Sequence, residues 1–348
     1  MELDNRKATI LTTIVKEHIR CGEPVGSKTL SGLLEISASP ATIRNEMATL
    51  FDMGFLEQPH TSAGRVPSHL GYRFYVNRLR GNNPISSEDK KQIDALFNIM
   101  NPDPDKLLAD AAQALATLTN CVSISASSPP RSVFVKRIEI IRATNNAVLV
   151  LMIASNGVIK SKLCRVGFSL NDKLCEFFTS FTNGKLAGKT LEEINVKYIR
   201  SVAVSLGEYS AAFNPLLAAV FGLCEEIAQG QLFVRGETNL LSYKELEKSV
   251  LDILDILSDK DELERITEKC EDDITVFIGK ENSSCQLSGA SVIIAKYPIG
   301  EINQGILALI GPVRMDYARV LSQLKYFSQN LEKILSDISE NDNKHNNI

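Results

Sequence analysis

Residues 39–67 hold the side chains whose types and spacing point most directly to a specific chemistry. Thr42 and Asn45 lie on one side of a predicted helix, with Arg44 at the border of that side, and all three can hydrogen-bond to the edges of nucleic-acid bases. Arginine and asparagine make the commonest bidentate contacts in the major groove of DNA. A small neighbour such as Ala48 would let the helix lie deep in that groove. This set therefore predicts a DNA-reading surface.

The helix that must present these side chains has recognisable ends and a buried side. Ser39 can cap its first turn, where Pro40 loses no hydrogen bond, and Gly54 supplies a natural end. The apolar side is predicted to consist of Ile43, Met47, Leu50 and Phe51. An ordinary amphipathic surface helix can show the same pattern, so the flanking segments must decide between the two interpretations.

The flanking segments favour the DNA-reading interpretation. A helix over residues 5–20 and a second one capped by Ser27 precede the third, which is a helix-turn-helix order. Residues 55–58 can pair with a strand near Arg65, and the hairpin so formed is either the wing of a winged helix or a solvated loop. As a wing it would contact phosphates or groove edges. The candidates for such contacts are Lys28, Ser39, His60, Thr61, Ser62 and Arg65.

Composition restricts the other possibilities. The chain has 348 residues and a formal net charge of −4, which argues against a protein that binds nucleic acid over its whole surface. Residues 1–80 carry ten Lys or Arg and eight Asp or Glu, a net +2, so the remainder carries −6. No apolar run reaches membrane-spanning length, the N-terminus is too polar for a signal peptide, and the seven cysteines form no C-x-x-C pair. These features predict a cytoplasmic protein that touches DNA at one end and no membrane.

The sequence offers little support for catalysis or for a bound cofactor. The segment TNGKLAGKT (182–190) resembles a phosphate-binding loop, but Asn183 stands where that loop needs a glycine. The four histidines have no metal-binding spacing, and no cysteine is matched with a histidine in a recognisable order. We therefore expect no enzyme activity, no metal site and no cofactor.

The body of the chain is predicted to be an antiparallel sheet covered by helices, which is an α+β arrangement. An apolar strand near 147–154 leads through an Asn-Gly turn into another strand, and three more strands follow at 274–278, 291–296 and 305–310. A mostly helical stretch interrupts the strands at about 168–235. Phe213, Leu217 and Val220 share one apolar face there, which either meets a partner or packs on its own domain.

Several blocks of the sequence resemble the heat-inducible transcription repressor HrcA family of bacteria. The first four, in the same order, are GEPVGSKTL, SPATIRNEMATL, GFLEQPHTSAGRVPS and GYRFYVNRL. Later blocks are RGETNLL (235–241), FIGKEN (277–282) and LALIGPVRMDYARV (307–320), whereas roughly 165–235 matches only loosely. The resemblance implies a homodimer that binds the CIRCE inverted repeat before chaperone genes. It also implies that the GroEL chaperonin keeps the repressor active.

The resemblance further implies a GAF-like sheet domain with an inserted dimerisation segment, which makes Phe213, Leu217 and Val220 candidate dimer contacts. The expected fold class is a multidomain α+β chain with an N-terminal winged helix-turn-helix. Its expected parts are a winged helix DNA-binding domain (1–80), a helical linker (81–120), a first GAF-like part (121–167), an inserted dimerisation domain (168–235), a second GAF-like part (236–340) and a disordered tail (341–348). Two other classes stay open. One is a metabolite-responsive winged-helix repressor that uses the GAF-like domain as its effector site, and the other is an enzyme with an attached DNA-binding head.

Overall fold

A computed structural model describes ten stretches of the chain. They are residues 3–34, 39–60, 63–79, 84–97, 104–127, 133–228, 230–269, 272–282, 284–299 and 303–344. Helices and antiparallel strands both occur along these stretches, so the expected α+β class is confirmed.

Three helices and a short hairpin form the N-terminal part, followed by a fourth helix. In order they are α1 (Asn5–Cys21), α2 (Ser27–Leu33), α3 (Pro40–Asp52), β1 (Leu56–Glu57), β2 (Val66–Pro67) and α4 (His69–Leu79). This order confirms the sequence-based prediction of three helices and a hairpin. Ser27 does not cap α2, however, because the helix begins at Ser27 itself and Gly26 occupies the capping position without a side-chain hydrogen bond.

Helix α4 lies directly against the backbone that enters the hairpin. The Ser68 hydroxyl donates to the Gly54 carbonyl (2.6 Å) and accepts from the Gly71 amide (3.1 Å), which fixes the first turn of the helix. A Cβ atom on Gly71 would lie 2.3 Å from the Phe55 carbonyl oxygen. Only glycine allows this close approach of helix and hairpin.

Two helices connect this part to the rest of the chain, α5 (Ser87–Phe97) and α6 (Pro104–Thr119). Asp89 on α5 is only 4% exposed. Its carboxylate accepts hydrogen bonds from Arg319 Nη2 (2.7 Å), Gln323 Nε2 (2.9 Å) and Ser86 Oγ (2.8 Å). Burial acts to raise the pKa of Asp89, but these hydrogen bonds outweigh it and hold the pKa below its ordinary value. A charged network therefore fastens α5 to the C-terminal helix.

A five-stranded antiparallel sheet forms the centre of the body. In spatial order its strands are β7 (Leu232–Arg235), β3 (Val122–Ser127), β10 (Asn303–Pro312), β9 (Ala290–Ile299) and β8 (Ile274–Ile278). One face packs on α6 and α12 (Tyr317–Lys344), and the other packs on α10 (Val250–Ser258) and α11 (Lys260–Glu268). The three C-terminal strands confirm the prediction, whereas β3 and β7 are additional strands.

A separate unit is inserted between β3 and β7. Its elements are β4 (Val135–Thr144), β5 (Ala147–Ala154), β6 (Ile159–Arg165), α7 (Asp172–Leu186), α8 (Val196–Ser205) and α9 (Ser210–Ala228). Strands β4, β5 and β6 form their own antiparallel sheet, and the buried residues from Val133 to Ile227 form their own cluster. The expected assignment of 121–167 to the first sheet is therefore wrong beyond β3. The insertion starts at Val133 rather than at 168, because these strands pack on α7 and α9.

The three side chains expected at a dimer interface lie inside this inserted unit. Phe213, Leu217 and Val220 are at most 1% exposed, and the Phe213 ring stacks on Phe178 with 4.9 Å between centroids. These residues are wrong as partner contacts, because α9 packs on its own sheet. Among the described residues, Gly207–Ala228 is the one helix long and apolar enough to cross a membrane. Its buried side chains belong to this core.

The N-terminal part and the body share one continuous hydrophobic cluster. That cluster contains residues of α1, α3 and α4 together with residues of β8, β9, β10 and α12. Arg73 on α4 reinforces it by donating from Nε to Glu281 Oε1 (2.9 Å) and from Nη2 to the Val276 carbonyl (2.6 Å). Glu281 also accepts from the Ile278 amide (2.8 Å), so α4 is tied to the end of β8.

Arg314, just before α12, makes a second polar connection to the N-terminal part. Its Nη1 donates to the Ile19 carbonyl (3.0 Å) near the end of α1, and its Nε donates to Glu245 Oε1 (2.7 Å). Close by, His18 Nδ1 lies 2.8 Å from the Tyr72 hydroxyl. Burial, aided by the charge of Arg314, lowers the pKa of His18. This imidazole is therefore neutral at physiological pH.

Helix α12 continues as far as Lys344, so the expectation of a disordered tail is wrong for residues 341–344. Adding residues to a helix that is already nucleated requires no new nucleation step, which lets a polar segment extend it. Residues 345–348 lie outside the described part of the chain.

Candidate nucleic-acid interface

Helix α3 begins and ends as its sequence predicts. The Ser39 hydroxyl accepts a hydrogen bond from the Thr42 amide (3.2 Å), and Pro40 occupies the first helical position. After the helix, Gly54 has a φ of +81°, which glycine adopts without strain. The buried side of the helix consists of Ile43, Met47 and Leu50.

The opposite side of α3 presents Arg44 and Asn45 to solvent. Arg44 forms no ion pair with any described residue, so its guanidinium is available to a ligand. Thr42 is half-buried, and its hydroxyl lies 3.0 Å from Ser39 Oγ, which places it at the edge of this surface. Other exposed residues on the helix are Ala41, Ala48 and Thr49.

An ion pair that the sequence reading missed holds α3 against α1. Glu46 lies 3.2 Å from Lys7 Nζ and 4.0 Å from Arg6 Nη1. Lys7 also contacts Asp4 at 2.6 Å. The pairing orients α3 and compensates the negative charge of Glu46 on that helix.

The hairpin is anchored to the helices through Arg65. The Arg65 backbone exchanges hydrogen bonds of 2.8 and 2.9 Å with Val25, and a Cβ on Gly64 would lie 2.5 Å from the Val25 carbonyl oxygen. The Arg65 guanidinium stacks over the Phe51 ring, 4.7 Å from its centroid. Its Nε is buried without a hydrogen-bond partner among the described residues. Arg65 therefore holds the hairpin against α3, a role that its charge alone did not reveal.

The remaining predicted contact residues lie around this helix and hairpin. Lys28, in the first turn of α2, and His60, in the hairpin loop, are both exposed. Lys28 forms no ion pair within the described part of the chain. Thr61 and Ser62 lie outside the described residues. The roles of all four as phosphate contacts stay predictions.

In the segment that resembles a phosphate-binding loop, the polar side chains contact neighbouring residues of the same chain. Lys189 Nζ lies 3.6 Å from Glu193 Oε1 and over the Tyr198 ring at 5.0 Å. The Thr190 hydroxyl donates to Glu193 Oε2 at 3.1 Å. These contacts use the lysine and the hydroxyl that a nucleotide would need. Among the described residues, no group of three or more His, Cys, Asp or Glu side chains could hold a metal ion.

Comparison with known proteins finds relatives that match almost the whole chain. A chain from Acetivibrio thermocellus is 32% identical over 338 residues, which is 96% of each chain. One from Halalkalibacterium halodurans is 33% identical over 339 residues, 97% of this chain and 98% of that one. Both are named heat-inducible transcription repressor HrcA. A crystal structure described only as a hypothetical protein matches with a TM-score of 0.75 and 25% identity, covering 97% of this chain and 100% of that one.

These matches along almost the whole chain define a transcription repressor. The family model described as HrcA protein C terminal domain also matches residues 105–321. The chain belongs to the HrcA family of heat-inducible transcription repressors. It is a negative regulator of heat-shock transcription.

Proposed function

We propose that this chain represses transcription by placing α3 in the major groove of DNA. Helices α1–α3 and the β1–β2 hairpin act as a winged helix-turn-helix, and the five-stranded sheet with its helices is a GAF-like domain. The observation that carries the proposal is the capped helix α3, whose outer side presents Arg44 and Asn45 to solvent.

The side chains divide into those that read bases and those that contact the DNA backbone. Arg44 and Asn45 hydrogen-bond to base edges, with Thr42 at the rim of that contact. Arg65 holds the wing in place and reaches a phosphate only through its terminal nitrogens. The remaining contacts to phosphates or groove edges are made by Lys28, Ser39, His60, Thr61 and Ser62.

The proposed target is the CIRCE inverted repeat, and the active form is a homodimer in the cytoplasm. Two copies related by a twofold axis present two reading helices, which matches the two half-sites of an inverted repeat. The GroEL chaperonin keeps the repressor in its DNA-binding form, so heat stress that occupies the chaperonin relieves repression. Family membership supports this part of the proposal. No enzyme activity, metal or cofactor is required.

A binding titration with a CIRCE duplex and a random competitor tests the base-reading role. Arg44→Ala should cost about 1–3 kcal/mol per half-site and relax discrimination at one base pair. Lys28→Ala should weaken operator and random DNA alike and reduce the salt dependence, because it removes a phosphate contact. Arg20→Ala is the matched control, since this arginine is also exposed but lies at the end of α1 and pairs with Glu17. Undiminished operator binding by Arg44→Ala would contradict the assignment.

The proposed role of the chaperonin is tested by adding purified GroEL to the same titration. The fraction of repressor that binds operator should rise, because chaperonin returns misfolded protein to the binding-competent form. An equal active fraction with and without GroEL, before and after heating, would refute this part alone and leave operator recognition intact.

A further inference from the structure

The side of α3 that faces away from the core carries methyl groups as well as polar side chains. Ala41, Ala48 and Thr49 are exposed there together with Arg44 and Asn45. The solvent-facing side of an amphipathic helix ordinarily carries charged and long polar residues. Threonine is also a weaker helix former than lysine, glutamate or alanine, so helix stability gives no reason for Thr49 at an exposed position. Contact with a ligand gives a reason for small residues on this side.

Thr49 offers its methyl group, and not its hydroxyl, to such a ligand. The hydroxyl donates its proton to the Asn45 carbonyl one turn earlier in the helix, with 3.1 Å between the two oxygens. Because the hydroxyl is turned back to the helix backbone, the Cγ2 methyl is the part of the exposed side chain that remains for a contact. Ala48, on the same side of the helix, has no polar atom in its side chain. Neither residue can therefore donate a hydrogen bond to a base.

The spacing places Ala48 and Thr49 one helical turn beyond the polar pair. Ala48 follows Arg44 by four residues and Thr49 follows Asn45 by four, and side chains at this spacing are neighbours on the helix surface. Four residues span about 6 Å of helix axis, close to two base-pair steps of about 3.4 Å each. A helix that lies along the groove and reads one base pair with Asn45 therefore holds the two methyl groups over a base pair about one or two steps away.

The major groove offers one methyl group, the 5-methyl of thymine. Alanine and the methyl group of threonine make apolar contacts with it. The remaining groups that distinguish the base pairs in this groove are hydrogen-bond donors and acceptors. Covering those groups with Ala48 and Thr49 would remove them from water without supplying a partner, which costs free energy.

We propose that Ala48 and Thr49 contact the 5-methyl group of a thymine in each half-site of the operator. We use the term methyl surface for these two side chains. The inference rests on the proposed placement of α3 in the major groove. It adds a specificity that Arg44 and Asn45 cannot supply, because those two side chains recognise hydrogen-bonding edges.

Replacing thymine with deoxyuridine tests the methyl surface, because the replacement removes the 5-methyl group and keeps the base pairing. In a CIRCE duplex, symmetry-related thymines are replaced one pair at a time, and binding of the full chain is followed by fluorescence anisotropy. For one pair of positions the dissociation constant should rise about fourfold per half-site, or about 15-fold for both, which is the effect of one buried methyl group per half-site. The ratio of the two dissociation constants is the deoxyuridine penalty.

Thr49→Ser and Ala48→Gly identify the side chains that contact this methyl group. Thr49→Ser removes only Cγ2, because serine keeps the hydroxyl that bonds to the Asn45 carbonyl. In each variant the deoxyuridine penalty at the sensitive pair should fall to less than about fivefold, since the contact is already lost. The penalty compares two duplexes with the same protein, so a change in the folded fraction cancels.

Thr117→Ser is the matched control. Thr117 is also exposed, and its hydroxyl donates to the Gln113 carbonyl four residues earlier at 2.9 Å, but it lies on α6, outside the helix that is proposed to read DNA. This variant should keep the wild-type affinity and the full deoxyuridine penalty.

The outcomes separate this inference from the function on which it rests. A penalty that falls in Thr49→Ser and in Ala48→Gly but not in Thr117→Ser would support the methyl surface. An equal penalty in all four proteins, or no penalty at any thymine, would overturn the inference. The placement of α3 in the groove would then still stand if Arg44→Ala loses its preference for the operator. A wild-type chain that binds operator and random duplex alike would overturn the inference and the proposed function together.

Discussion

Replacing Arg73 with alanine removes one of the polar contacts between the N-terminal helices and the body. The side chain is 21% exposed and donates to both Glu281 and the Val276 carbonyl. A hydrogen bond that involves a charged group contributes about 1.5–3 kcal/mol. Glu281 is about one third exposed, so its part of the interaction is discounted toward the value of a surface pair, about 1 kcal/mol. Arg73→Ala should therefore lower the free energy of unfolding by about 2–3 kcal/mol.

A double-mutant cycle separates the two contributions. Glu281→Ala alone keeps the Arg73 contact with the Val276 carbonyl but also removes the acceptor of the Ile278 amide, so the coupling energy, and not the single-variant cost, isolates the ion pair. The coupling between Arg73 and Glu281 should be about 1 kcal/mol, and the rest of the loss should persist in the Glu281→Ala background. Urea unfolding followed by circular dichroism measures all four proteins. Asn77→Ala, at an exposed position on the same helix, is the control and should change stability by less than about 0.5 kcal/mol.

Two results would refute this reasoning about the contact between α4 and β8. One is an Arg73→Ala protein as stable as the Asn77→Ala control. The other is a coupling of zero between Arg73 and Glu281, which would mean that the ion pair contributes nothing to the attachment of the N-terminal part.

The other predictions concern a helix cap and a buried carboxylate. Ser39→Ala should destabilise the chain by about 1 kcal/mol, because the Thr42 amide loses its acceptor, and Ser39→Asn should restore most of that loss in thermal unfolding. A Ser39→Ala protein with unchanged stability would show that the cap is not needed. Because its folded pKa is lowered, ionised Asp89 stabilises the native state above about pH 4, and this contribution disappears as the pH falls through the lowered value. The stability difference between wild type and Asp89→Asn should therefore shrink in acid, and a difference independent of pH would contradict the role of the Arg319 contact.

The elements that the sequence predicts correctly are those whose signals are local. Ser39, Pro40 and Gly54 mark the ends of α3 within a few residues of the helix itself. The Asn-Gly turn likewise predicts the β5–β6 hairpin correctly. By contrast, strand β3 is not predicted from the sequence. Both of its faces are buried, but serines alternate with Val122 and Ile124, so the strand lacks the continuous apolar run that is typical of a strand buried on both faces.

The wrong predictions concern which surfaces pack against each other, because packing depends on contacts between residues that are far apart in the sequence. Strands β4, β5 and β6 would have the same sequence pattern in either sheet, so the start of the insertion could not be located. The apolar face of α9 has the same residues whether it covers its own sheet or a partner. At the candidate interface, the exposure of Arg44 was predictable from the helical period. The stacking of Arg65 on Phe51 was not, because it depends on how the hairpin folds back over α3.

The apolar cluster common to the N-terminal helices and the body has a further consequence. Swinging the N-terminal part away from the body would expose side chains such as Tyr72 and Tyr317, whose ring centroids lie 6.0 Å apart. Separation is therefore a local unfolding event with a steep dependence on temperature. Separation of the two parts would expose apolar surface of the kind by which chaperones recognise non-native chains. Warming would then separate the N-terminal helices from the body and expose their apolar contact surface in the same step.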